Sequence, residues 1–124
     1  YLNNVLNYLE NKICKSDFLE QYFAERGITE IIVYGCGRMA KIIKSELKHT
    51  KIKMFIDKNI KDDFFENKKV LKKIDDAECI ENVILISLFH SAAEDIKIEL
   101  VEKYKCKNVI TLHEIIDNSK ISDK

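Results

Sequence analysis

Proline is absent, and glycine occurs only three times in 124 residues. A chain with no proline-rich or glycine-rich stretch carries no linker marked by composition, and it shows no internal repeat and no low-complexity block. One domain is therefore expected. The four cysteines, Cys14, Cys36, Cys79 and Cys106, stand far apart and include no Cys-x-x-Cys pair, so they begin no zinc site and read as reduced thiols. No apolar run approaches the roughly 18 residues of a membrane span, and no signal-type segment opens the chain. These features predict a cytoplasmic protein without membrane insertion. Net charge is also missing, with Lys plus Arg 21 against Asp plus Glu 21.

Charge is nevertheless segregated. Residues 38 to 73 hold 12 basic and 5 acidic side chains, against 3 and 5 before them and 6 and 11 after them. Only Arg26 and Arg38 among the basic residues are arginine, and bidentate contacts to phosphate or guanine favour arginine. The middle third reads as a lysine-rich solvated face, with no nucleic-acid partner. At 46% hydrophobic and 34% charged, the chain has the composition of a globular protein. It is long enough to bury about two thirds of its unfolded surface without disulfides or a structural metal.

Periodicity divides the chain into a helical extension (1–28), an α/β domain (29–118) and a polar tail (119–124). Leu2, Val5, Leu6, Leu9 and Ile13 recur at helical spacing, and a second helix follows from Ser16 through Phe18, Leu19, Tyr22 and Phe23 to a stop at Gly27. Ile31 to Tyr34 is a short apolar run rich in β-branched residues, as in a strand buried on both faces. Met39, Ala40, Ile43 and Leu47 then mark a helix, and Ile52 to Ile56 a second strand ending at Asp57. The stretch 58–69 reads as a surface loop, with a short strand near Lys69 to Leu71. Ile74 to Ile80 reads as a short helix and Val83 to Ser87 as another buried strand. Ser91 with Glu94 forms one expected capping box before a helix, and Thr111 with Glu114 forms another after a last strand at Val109 and Ile110. Strands alternating with helices predict a doubly wound, Rossmann-like parallel sheet of order 3-2-1-4-5.

The informative segment is Gly35-Cys36-Gly37-Arg38-Met39-Ala40, a Gly-x-Gly-x-x-Ala between an expected strand and an expected helix. The first glycine permits a tight turn, the second admits a ligand's phosphates, and the small Ala40 lets helix and sheet pack closely. The helix N-terminus supplies free amides and a positive dipole end. Asp57 follows Gly35 by 22 residues, near the spacing of the acid that binds a ribose in such domains. Its charge would repel a 2′-phosphate, which favours NAD or a nucleoside diphosphate over NADP. Arg38 is placed to cap a pyrophosphate or to remain in solvent. Ser87 and His90, after the strand expected beside the first, are candidates to touch a sugar or phosphate. Cys36, at a helix N-terminus, is a candidate for a lowered thiol pKa. It has no evident base, and no carboxylate pair, metal-ligand cluster or Tyr-x-x-x-Lys pair accompanies it. Binding is supported where catalysis by this chain alone is not.

The runs 31–40, Met54-Phe-Ile-Asp-Lys-Asn59, 83–87 and 109–116 resemble the small Rossmann-like domains of bacterial surface-polysaccharide biosynthesis. These occur at the N-termini of nucleotide-sugar acetyltransferases and sugar dehydratases. The resemblance implies that Gly35, Gly37 and Ala40 approach a nucleotide's phosphates and that Asp57 contacts its ribose or base. It also implies NAD or a nucleotide sugar as ligand, and a polysaccharide-biosynthesis enzyme as partner or parent. A weaker likeness, to NAD-binding regulatory domains of potassium channels and transporters, rests on Gly-x-Gly-Arg and Asp57 alone. The alternative of another class is an interaction or homo-oligomerisation module, docking through the N-terminal helices, whose nucleotide site is vestigial. A third is a sugar oxidoreductase whose catalytic part lies elsewhere.

Overall fold

The computed structural model describes residues 18–72, 82–88, 90–112 and 114–115. In chain order they form helix α1 (Phe18–Glu25), strand β1 (Glu30–Tyr34), helix α2 (Arg38–Glu46), strands β2 (Lys51–Ile56), β3 (Phe64–Phe65), β4 (Lys68–Leu71) and β5 (Val83–Ile86), helix α3 (His90–Glu102) and strand β6 (Asn108–Thr111). The helices expected over 2–13 and 74–80, and the polar tail, lie outside the described residues.

The strands form one open sheet of order β3-β4-β2-β1-β5-β6. It is parallel at every described pairing except β3 with β4, which is antiparallel. The sheet has six strands where five in the order 3-2-1-4-5 are expected from sequence, the additional one lying at the edge beyond β4. The segment read as a surface loop contributes an edge strand, Phe64–Phe65, hairpinned onto β4 through Glu66 and Asn67. Both turn residues have positive φ, 51° and 65°, the geometry of a two-residue turn that matches strand twist. Phe65 anchors the hairpin by an edge-on contact with Phe55, ring centroids 4.8 Å apart.

The alternation of side chains sends β1 to two cores. Ile31 and Val33 pack with Leu19 and Phe23 of α1, Met39, Ala40 and Ile43 of α2, and Phe55. Ile32 and Tyr34 pack with Ala93 and Leu100 of α3, Ile84, Ile86 and Met54. Burial of the strands on both faces explains why they read as continuous apolar runs. Pairing of Ile31 with Ile52 and of Ile32 with Met54 skips Lys53, so a bulge there moves Met54 to the opposite face from Ile52. Helix α2, which follows β1, and helix α3, which follows β5, thus cover opposite faces of the sheet.

Helix α1, assigned by sequence to the extension, packs directly on the sheet, with Leu19 and Phe23 almost wholly buried. Gly27, at φ 67°, ends it. Its N–H donates to Ala24 O, and the Ile28 N–H donates to Phe23 O at 2.9 Å, the paired bonds of a left-handed helix stop. Glu20 on α1 ties this helix to the entrance of β2. Its carboxylate accepts the N–H groups of His49 (2.9 Å) and Thr50 (3.2 Å) and the Thr50 hydroxyl (3.3 Å). Burial alone would raise the Glu20 pKa, but the backbone donors outweigh it and hold the group below the ordinary glutamate value. A depressed carboxylate stabilises the fold above its unfolded pKa and loses that contribution as pH falls through its folded pKa. Glu20→Ala is therefore expected to destabilise the domain by about 2 kcal/mol at pH 7. Urea unfolding of both proteins should show the gap closing below the ordinary glutamate range.

Thr111 and Glu114 form both arms of their expected capping box, Glu114 N–H to Thr111 Oγ1 and Thr111 N–H to Glu114 Oε2, each 3.3 Å. The side chain of Ser91, expected to cap the helix that follows it, lies outside the described part of the structure. Helix α3 is described from His90. Among the described residues no helix is long and apolar enough to cross a membrane.

Candidate functional site at the ends of β1, β2 and β5

Strands β1 and β5 end in register, Tyr34 beside Ile86, which brings the glycine loop against Ser87. The Ser87 N–H and hydroxyl both donate to Tyr34 O, at 3.0 and 2.8 Å. On the other flank the Gly35 N–H donates to Ile56 O at 2.7 Å. The end of β1 and the first residue of the loop are thus each stitched to a neighbouring strand. Because α2 and α3 leave on opposite faces, the ends of β1 and β5 form a topological switch point, the usual place for ligands in open α/β sheets.

The two glycines do different work. Gly35 has φ 106°, and a Cβ built on it would lie 2.5 Å from Ser87 Oγ, so the fold itself demands glycine there. Gly37 is extended, at φ −117° and ψ −162°, and a Cβ on it would meet nothing within 4 Å. No feature of the protein's own packing requires a glycine at that position. What its bareness does is leave the start of α2 without a side-chain cap and the first-turn amides uncovered.

The other residues expected at the site separate into backbone and side-chain roles. Met39 and Ala40 are buried in the core, so only their backbone amides are left to meet a ligand. Arg38 is exposed and engaged in an interaction of its own. Ser87 is brought to the loop as expected, but it is buried and its hydroxyl proton is spent on Tyr34 O. His90 opens α3, and its side chain, like Phe89, lies outside the described part of the structure.

Asp57 stands beside the loop and grips it. Its Oδ2 accepts the Cys36 N–H at 3.0 Å and its Oδ1 accepts the Asn59 N–H at 2.8 Å. The carboxylate holds the loop's middle amide. Each oxygen keeps acceptor capacity for a further donor such as a ribose hydroxyl.

Cys36 corrects its sequence expectation. Partial burial, and then the neighbouring Asp57 carboxylate, push its thiol up to about 11, and these outweigh the helix N-terminus. Cys36 should carry on the order of a hundredfold less thiolate near neutral pH than an ordinary cysteine. Iodoacetamide labelling at pH 7.5, followed by peptide mapping, should find Cys36 slow. Labelling as fast as free cysteine would contradict this environment.

A second polar group at the same strand ends was not foreseen. Lys58, next to Asp57, pairs with Glu99 of α3 at 2.9 Å instead of with Asp57. The hydrogen bond to Glu99 chiefly raises the Lys58 pKa, and the bond to Lys58 chiefly lowers that of Glu99. Tyr34 is 6% exposed on this face, its phenol held up first by burial and also subject to the charges of Lys58, Glu99 and Asp57. Sequence could not reveal the cluster, since Lys58 and Glu99 lie 41 positions apart.

Among the described residues no group of three or more His, Cys, Asp or Glu could hold a metal ion. No protein-family model, curated protein or solved structure matches the chain.

Proposed function

We propose that residues 29–118 are a doubly wound, Rossmann-like nucleotide-binding module. Its particular ligand would be a nucleotide sugar or NAD, in service of bacterial surface-polysaccharide assembly as part or partner of an enzyme. The observation that carries the reading is Gly37. A residue that the fold leaves free to bear a side chain instead bears none, at the one point where a side chain would screen the α2 amides from an anion. The loop is otherwise held by Ser87 at Tyr34, by Ile56 at Gly35 and by Asp57 at Cys36, which supports preorganised amides. The Asp57 charge argues against a 2′-phosphate and hence against NADP. The raised pKa of Cys36 disfavours it as a nucleophile.

A thermal-shift panel of NAD, NADH, NADP, CoA and nucleotide sugars tests the reading. One nucleotide class should raise the melting temperature by several degrees at 100 times its Kd, corresponding to about 2.7 kcal/mol. A flat panel would contradict nucleotide binding and favour an interaction module.

A further inference from the structure

We propose that the chain associates with further copies of itself head to tail, the outer face of α3 in one copy docking on the outer face of α2 in the next. The inference does not depend on the nucleotide reading.

Three observations carry it. First, α3 presents an acidic stripe with an apolar centre. Glu94, Ile98, Val101 and Glu102 recur at the spacing of one helix face, with Asp95 beside them, and all five are exposed. Ile98 and Val101 are two of the three large apolar side chains left exposed among the described residues, at 52% and 42%. Second, α2 presents the opposite charge. Lys41 and Lys44 stand three positions apart on its outer side and Lys48 follows its end; Lys41 and Lys48 are exposed and Lys44 is half-buried. The methylene stems of these lysines offer apolar surface to Ile98 and Val101 while the ammonium groups reach the carboxylates. Third, the two faces cannot meet within one molecule. Helix α2 packs on the core that holds Ile31 and Val33, and α3 on the core that holds Ile32 and Tyr34, so the sheet lies between them. Only another copy brings them together. Pairing α3 with α3 would set Glu94, Asp95 and Glu102 against like charges, which selects the heterologous contact. With 21 basic and 21 acidic residues in each copy, no net charge opposes association.

Sedimentation equilibrium of the full chain at low salt, with protein concentration rising into the millimolar range, tests this. The mean mass should rise past that of a dimer, because each added copy still offers one face of either kind. About 1 M salt, where the Debye length is about 3 Å, should weaken the association about tenfold. Ile98→Lys on α3, and Lys41→Glu with Lys44→Glu on α2, should each weaken it by about the same factor. Mixed in equal amounts, the two variants should associate again and stop at a one-to-one dimer, since the mixture retains one intact face of each kind. The substituted side chains lie outside both cores, so the melting temperatures should hold, and the salt series with one variant still decides if the other misfolds. A chain that stays monomeric throughout overturns the proposal. So does association lost in Ile98→Lys but unchanged in the α2 variant, which would mean like faces pairing, and so does association that neither variant weakens.

Discussion

Gly35→Ala is expected to destabilise the domain by about 3 kcal/mol, combining backbone strain with overpacking. The strain arises because φ 106° lies where L side chains are rarely found, and the overpacking because the new Cβ would sit 2.5 Å from Ser87 Oγ. Ser87 cannot retreat cheaply, since both its N–H and its hydroxyl bond Tyr34 O. Against a typical total of about 5–15 kcal/mol, that loss is large. Denaturant unfolding measures it directly. Adding Ser87→Ala should recover about 1 kcal/mol, since it removes the atom met by the new Cβ. A loss under about 1 kcal/mol for Gly35→Ala would mean that the loop can bend elsewhere.

Gly37→Val should behave in the opposite way, with stability changed by no more than about 1 kcal/mol and nucleotide binding weakened by more than about thirtyfold. Space around this position is open and its backbone is extended, so valine is accommodated. The branched side chain would nevertheless stand over the amides of α2, where phosphate oxygens need close approach. Titration of both proteins with the nucleotide that raises the melting temperature checks the binding arm. Undiminished affinity in Gly37→Val would mean that the ligand does not use the helix start. Two glycines a single residue apart thus separate the demands of the fold from those of the ligand.

Much of the frame is legible from local pattern. Ile31 to Tyr34, Ile52 to Ile56 and Val83 to Ile86 are β-branched or apolar runs because both faces of the sheet are covered, and they form strands. Gly27 and the Thr111–Glu114 box depend on near neighbours in sequence and are equally readable. What escaped reading depends on partners distant in the chain. Phe64–Phe65 is too short for any periodicity, and it becomes a strand only because Phe65 reaches Phe55. The bulge at Lys53 is a property of the β1 and β2 pairing, not of β2 alone.

The same division holds within the site. Position at a helix start argues for an acidified Cys36, but burial and Asp57, 21 residues on, reverse the sign. Asp57 was identified by its spacing, whereas its hold on the Cys36 amide follows from the three-dimensional approach of the β2 end to the loop. Lys58 looks like a partner for Asp57 in sequence and instead pairs with Glu99 of α3.

Backbone amide NMR of the labelled 124-residue chain, titrated in turn with UDP and with NAD, is the most direct test of phosphate binding at the glycine loop. The predicted result is that the largest shifts fall on Gly37, Arg38 and Met39, with smaller ones at Ser87, and that Gly37→Val abolishes them. Shifts confined to other surfaces, or none at concentrations well into the millimolar range, would contradict it.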